Sequence, residues 1–384
     1  MTDTENIKGE ETTLNQEITL DQETAPGKKT APGKKTSPAK RTGCILLCFV
    51  IIVTSLWFIQ QLFMPKYMHD IVEGAMIAEY YKEEPDHDVV FVGDCELYEN
   101  ISPQVLWDEY GINSYIRGSA QQLIWQSYYL MEETLKYEKP KVMVFNVLSL
   151  KYNEPQKEAY NRMTLDGMRW SVSKVHSIQA SMMPEENFIE YVFPILRYHS
   201  RYDSLTADDL TYLLKKDAVT HNGYYMRVDV KPAENVPEGK PLGDYRFGDN
   251  AMSYLEKMVT LCEENGVELV LVKAPSLYPY WYDEWEEQVE VFAKEHNLKY
   301  YNFLEATEEI GLDFSTDTYD AGLHLNLSGA EKLSRYLGRI LTEECGLGSR
   351  RGEEALEQSW DIKRAAYEAD IAAQYAALAD DKQK

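Results

Sequence analysis

Asp88-Val-Val-Phe-Val-Gly-Asp-Cys95-Glu-Leu-Tyr98 decides how this chain is read. The apolar run 89–92 reads as a buried strand. It stops at Gly93-Asp94-Cys95, where the carboxyl end of a strand would open into a crevice. Ligands and reactive groups of open α/β sheets collect at such places. A thiol there, beside a glycine that lets the chain bend sharply, is a candidate nucleophile. The alternative is a buried small hydrophobe, the usual role of a free cysteine. The residue that favours chemistry lies more than 200 positions further on, at His324.

Working outward, 113–116, 141–147, 267–272 and 300–303 read as further short strands. Helical patterns separate them at 102–110, 123–137, 252–265 and 284–296, and 328–344 closes the series. Ser102-Pro103 supplies an N-cap and a first-turn proline, and Gly111 and Gly266 supply stops. Strands alternating with helices at this spacing predict a parallel sheet with crossover helices. The expected fold class is α/β, a three-layer flavodoxin-like parallel sheet. Residues 153–250 interrupt the rhythm with helical patches at 169–182, 187–198 and 207–215 and a Gly/Pro-rich stretch at 231–249. This is too long for a connection and is expected to be an inserted helical cap over the crevice.

Residues 44–64 carry no charge over 21 positions, enough at about 1.5 Å per residue to cross one hydrocarbon core. Lys and Arg crowd the amino side in a six-residue repeat, Ala25-Pro-Gly-Lys-Lys-Thr30 and its two successors. That asymmetry predicts a single-pass signal anchor in the cell membrane, amino terminus cytoplasmic and main domain extracellular. The expected partition is a disordered tail with a basic linker (1–43), a transmembrane segment (44–64), an extracytoplasmic domain (65–345) and a charged helical tail (346–384).

Net charge is -25, with seven basic and seven acidic groups in 1–43 and 32 basic against 57 acidic ones after it. Such a balance argues against a nucleic-acid partner. Cysteines at 44, 48, 95, 262 and 345 form neither a disulfide framework nor a zinc pattern, and no H-E-x-x-H is present. Neither metal nor cofactor is expected.

Four loops at strand ends thus converge in principle: Cys95, Gly118, Asn146 and the loop holding Asp317, Asp320 and His324. Their order and types resemble the SGNH (GDSL-like) hydrolase superfamily over roughly 88–341. In that family Gly-Asp-Ser carries a nucleophilic serine; here the stretch reads Gly93-Asp94-Cys95. Gly118 matches the glycine whose N–H helps build the oxyanion hole. Asn146 is the nearest match to its asparagine, without the usual flanking Gly and Asp. The final Asp-x-x-His block is one residue longer here if Asp320 is the partner. The run His324-Leu-Asn-Leu-Ser-Gly-Ala-Glu-Lys332, and Phe193-Pro194 with Tyr198-His-Ser-Arg201, look most like the membrane-anchored bacterial branch. That branch includes the teichoic-acid D-alanylation protein and alginate-type O-acetyltransferases.

The chemistry points the same way. A nucleophile needs a base, and imidazole titrates near neutrality. His324 needs an orienting carboxylate, Asp320 being the nearer candidate and Asp317 the second. The backbone N–H groups of Cys95 and Gly118 and the Asn146 amide would meet an oxyanion. His199 and Arg201 could bind an anionic substrate, and Tyr280 and Trp281 could stack on sugar rings. Asn100-Ile-Ser102 and Asn326-Leu-Ser328 match the glycosylation sequon. The expected function is acyl transfer or ester hydrolysis on a cell-envelope polysaccharide or teichoic-acid-like polymer, through a Cys95 nucleophile. The alternative is an inactive SGNH-like module that binds such a polymer or scaffolds a membrane-bound acyltransferase.

Overall fold

The computed structural model describes residues 38–65, 75–215 and 218–381. They fall into two units, Met1–Thr54 and Ser55–Lys384. The first contributes the leading part of a 26-residue helix, Pro38–Phe63. This helix is long and apolar enough to cross a membrane, and no part of its apolar window is buried in protein. The tail and its repeat up to residue 37 lie outside the described residues, as do residues 66–74.

The second unit is built on a parallel sheet of β1 (Val89–Gly93), β2 (Ser114–Gly118), β3 (Val142–Asn146), β4 (Glu268–Lys273) and β5 (Lys299–Asn302). Its strand order is β2-β1-β3-β4-β5, and every pairing is parallel. This is the expected flavodoxin-like order. The strands read as near-continuous apolar runs because both faces are covered. Val92, Phe145 and Leu271 join one buried cluster, Phe91, Val144 and Val272 the other. The first cluster is covered by the helices Ile124–Tyr137, Asp249–Asn265 and Asp283–Glu295, the second by Leu327–Glu343. Layers of helix, sheet and helix result.

The inserted segment differs from the expected cap. Its helices Glu158–Leu165 and Val172–Ser181 are laid against Ile124–Tyr137 on the flank of the sheet. A polar seam holds them there. Trp125 Nε1 donates to Ser181 Oγ (3.1 Å), Gln126 Nε2 to Asn161 Oδ1 (3.3 Å), and the Ser119 and Thr164 hydroxyls meet at 2.5 Å. The extended segment 219–247 is what runs along the carboxyl rim. Tyr225 N donates to Tyr98 O (2.7 Å), Lys231 N to Thr318 O (2.9 Å), and Tyr282 Oη to Lys240 O (2.6 Å).

The charged tail is part of the fold. Its helix, Glu354–Asp381, buries Trp360 and Tyr367. Trp360 stacks on Trp107 (centroids 5.5 Å apart) and donates to Asn113 Oδ1 (3.1 Å), and the Tyr367 hydroxyl meets Ser102 Oγ at 3.1 Å.

Candidate active site

In this strand order the chain leaves β1 and β3 in opposite directions, and the crevice between their carboxyl ends is where such sheets bind ligands. Gly93 ends β1 opposite Gly118 of β2, and Asn146 ends β3. A Cβ on Gly93 would stand 2.9 Å from Leu97 Cδ1 and 3.2 Å from Asn146 Cβ. One on Gly118 would stand 3.1 Å from Gly93 O. At both positions a side chain would crowd its neighbours, and the three strand ends lie close together. Asp94 caps the short helix Cys95–Tyr98, accepting from Glu96 N (3.2 Å). Cys95 is thus the first helical residue, with a backbone N–H that the helix leaves unpartnered.

His324 reaches the same place from the loop before Leu327–Glu343. Asn326 caps that helix, accepting from Gly329 N (3.2 Å), and Asn100 Oδ1 accepts from Leu325 N (2.7 Å). The His324 loop is thereby fastened to the turn that follows Cys95. Asp320 holds the imidazole: Nδ1 donates to its Oδ2 (2.7 Å), and its Oδ1 accepts from His324 N (2.8 Å). Asp317 does other work, accepting from Lys332 Nζ (2.6 Å) and Ser328 Oγ (2.8 Å) at the start of the closing helix. Nε2 of His324 is buried and has no nitrogen or oxygen partner among the described residues. Cys95 is close enough for each to bias the protonation of the other.

The electrostatics are crowded with acids. A second carboxylate, Glu99, stands with Oε2 3.7 Å from His324 Nδ1 and accepts the Tyr319 hydroxyl. Burial is the largest influence on His324 and favours its neutral form. The charges of Cys95 and Glu99 and the Asp320 hydrogen bond outweigh it and hold the imidazole well above its ordinary value. Burial pushes the Cys95 thiol up; His324 opposes that shift, while Asp94 and Glu99 add to it. Burial also pushes Glu99 and Asp94 up, and the neighbouring Glu96 charge adds to the rise at Asp94. Lys151, whose Nζ lies 4.9 Å from the Tyr152 ring centroid, is pushed down by burial and held up by Asp94 and Glu96.

Beneath the thiol lies a buried ion pair. Lys273 Nζ, at the end of β4, meets Glu96 Oε2 at 3.1 Å, and neither side chain has any exposure. Asn146 joins it. Its Nδ2 donates to Asp94 Oδ1 (3.0 Å) and to Glu96 Oε2 (3.0 Å), and its Oδ1 accepts from Ala274 N (3.3 Å). Both amide hydrogens are therefore engaged, and the expectation that this amide faces an oxyanion is corrected. The carboxylate that claims it, Glu96, sits directly after Cys95.

The expected substrate-binding residues separate. His199 is exposed and turns to its own helix end, its Nδ1 2.9 Å from Leu196 O. Arg201 donates to Phe63 O (2.8 Å) and Asp209 Oδ1 (3.1 Å), so its guanidinium is engaged away from the crevice. Trp281 is buried among Phe247 and Trp285 and donates to Glu286 Oε2 (2.6 Å), a core role. Tyr280 is exposed, two residues from Tyr278, whose hydroxyl donates to Asp320 O (2.8 Å). Asn100 and Asn326 are buried, so neither sequon is open to glycosylation in the folded chain. The sequence reading missed Glu99, Tyr319, Lys151 and the Glu96–Lys273 pair. The signal for Glu99 was its place four residues after Cys95, one helical turn on.

No family model matches the chain, and no curated protein matches it. Among solved structures it is similar to a GDSL-like lipase from Bacteroides thetaiotaomicron VPI-5482, with 12% identity, 71% of this chain and 100% of that one covered, and a TM-score of 0.32. It is similar to a protein described as an acylhydrolase from Bacteroides fragilis NCTC 9343, at 11% identity, 72% and 100% coverage and a TM-score of 0.37. It is also similar to a protein described as a lipolytic protein of the G-D-S-L family from Desulfitobacterium hafniense DCB-2, at 14% identity, 67% and 100% coverage and a TM-score of 0.33.

Proposed function

We propose that this chain is a membrane-anchored, thiol-dependent acyltransferase or esterase of the SGNH type, acting outside the cell on an envelope glycopolymer. One observation carries the reading: His324 is held through Nδ1 by Asp320 at 2.7 Å, while its buried Nε2 has no nitrogen or oxygen partner and the imidazole interacts with the Cys95 thiol. That is the arrangement of nucleophile, base and orienting acid. The thiolate attacks an ester carbonyl, an S–C bond forms, the C–O bond to the leaving hydroxyl breaks, and imidazolium returns its proton to that oxygen. Water or a second hydroxyl then cleaves the thioester and gives its proton to His324. The Cys95 and Gly118 N–H groups meet the oxyanion, with Lys151 as the nearby cation. The basic residues ahead of Pro38–Phe63 support an amino terminus inside and the catalytic unit outside.

Iodoacetamide tests the proposal. Cys95 should be alkylated faster than Cys262 and Cys345, because His324 opposes the rise that burial imposes on Cys95, while burial pushes the other two thiols up to about 12 and about 11. The Cys95 rate should fall by about tenfold in His324→Gln, the effect of one unit in thiol pKa. Equal labelling of all three thiols, or a Cys95 rate indifferent to His324, overturns it. A second reading is favoured by the engagement of both Asn146 hydrogens: a non-catalytic module that binds envelope polymer or scaffolds a membrane-bound acyltransferase. A Cys95→Ala variant that supports envelope acylation as well as the parent would establish that reading instead.

A further inference from the structure

Six of the fifteen large apolar side chains exposed outside Pro38–Phe63, among the described residues, fall between positions 189 and 214. They are Ile189, Phe193, Leu196, Tyr202, Leu210 and Leu214, the last 78% exposed. Ile189 lies on the short helix Phe188–Val192, Phe193 just after it and Leu196 on Ile195–Tyr198, while Tyr191 and Tyr198 are buried. Leu210 and Leu214 recur at i and i+4 on the helix Ala207–Leu214, whose Asp209 is buried. Asp208 stands two residues from Leu210, about 200° around that helix.

What lies next to this face names its occupant. Arg201 donates through Nη1 to the carbonyl of Phe63, the last residue of the apolar helix, and through Nη2 to Asp209, the neighbour of Leu210. One guanidinium thus ties the carboxyl end of the helix long enough to cross a membrane to the helix that carries Leu210 and Leu214. An apolar face placed there meets headgroups and upper acyl chains, and an arginine suits the boundary.

We infer that the 188–214 face of the inserted segment lies in the membrane interface, seating the catalytic unit on the bilayer surface. This rests on reading Pro38–Phe63 as a membrane span. The seat fixes the height and attitude of the unit, so the acyl groups within reach are those carried close to the membrane plane.

The test uses the full chain in phosphatidylcholine/phosphatidylglycerol vesicles with the photoreactive p-benzoylphenylalanine replacing Leu196, Leu214, Leu56 or Val291, one at a time. Leu56 lies in the span, and Val291 is exposed on Asp283–Glu295. Phospholipid adducts, identified by mass after irradiation, should form at 196 and 214 at least about fivefold more than at 291. Adducts at 196 and 214 no more frequent than at 291, or cross-linked dimers in their place, overturn the inference while labelling at Leu56 keeps the span. Absence of adducts at Leu56 overturns both.

Discussion

Replacing Lys273 by Met removes the cation of the buried pair and keeps most of the apolar stem. Lys273 Nζ lies 3.1 Å from Glu96 Oε2. At an effective dielectric constant near 20, two unit charges at that distance attract by about 5 kcal/mol. The variant also loses the 2.6 Å hydrogen bond from Nζ to Ala274 O, worth about 1 kcal/mol. Asn146 still donates to Glu96, which softens the loss. The expected net cost is about 3–5 kcal/mol, the usual result of stranding one member of a buried pair. The double variant Glu96→Leu/Lys273→Met removes both charges and should recover most of that loss, leaving one unmatched Asn146 hydrogen. The measurement is denaturant unfolding of both variants and the parent in one detergent. A single variant within about 1 kcal/mol of the parent, or a double variant no better than the single, would refute the claim that this pair holds the floor of the crevice.

Two further outcomes are expected. Asp94 has a folded pKa raised by burial and by Glu96, so its contribution to stability is full below its unfolded value of about 3.9 and is lost as pH rises through the folded one. Asp94→Asn keeps an N-capping side chain and removes the charge that opposes the Cys95 thiolate. It should gain stability on the parent at pH 8 but not at pH 4, and alkylate Cys95 faster at neutral pH; an unchanged alkylation rate would show that the Asp94 charge is not felt at the sulfur. Trp360→Ala should cost about 3–5 kcal/mol, because Trp360 is fully enclosed against Trp107. Limited proteolysis should then cut the Glu354–Asp381 helix first, and a variant as resistant as the parent would show that the tail docks without it.

The sheet was legible because a strand covered on both faces must be an unbroken apolar run, and 89–92, 141–147 and 267–272 are such runs. The loop positions were legible for a related reason. Residues that end neighbouring parallel strands share one rim, so Cys95, Gly118 and Asn146 had to lie near one another. The direction of a side chain at that rim is a different question. Asn146 turns to Asp94 and Glu96, and no local pattern marks Glu96 as buried, because its partner is 177 residues away. Arg201 has the same history: an exposed-looking cation whose partners, Phe63 O and Asp209, appear only once the chain is folded. The insert was legible as helices but not as a flank, since the polar seam through Gln126, Asn161 and Ser181 reads in sequence as surface.

The acid-rich surroundings explain why sulfur suits this position under the proposed reading. Asp94 and Glu99 both oppose a negative charge on residue 95, and burial opposes it more. A serine hydroxyl is far harder to ionise than a thiol and would meet the same opposition. Its proton would have to pass to an imidazole that Glu99 and Asp320 already favour in the charged form, which is a poor base at rest. A thiol lessens that demand, because it ionises far more readily than a hydroxyl and His324 offsets part of the rise that burial imposes on it. Glu99 acts on both partners: its charge opposes the Cys95 thiolate and also holds the imidazolium, so removing it relieves the one and weakens the other. On this account Cys95→Ser does not restore a family-like enzyme. It takes away the Cys95 charge, the largest influence that raises His324, and leaves a hydroxyl that the imidazole must deprotonate outright.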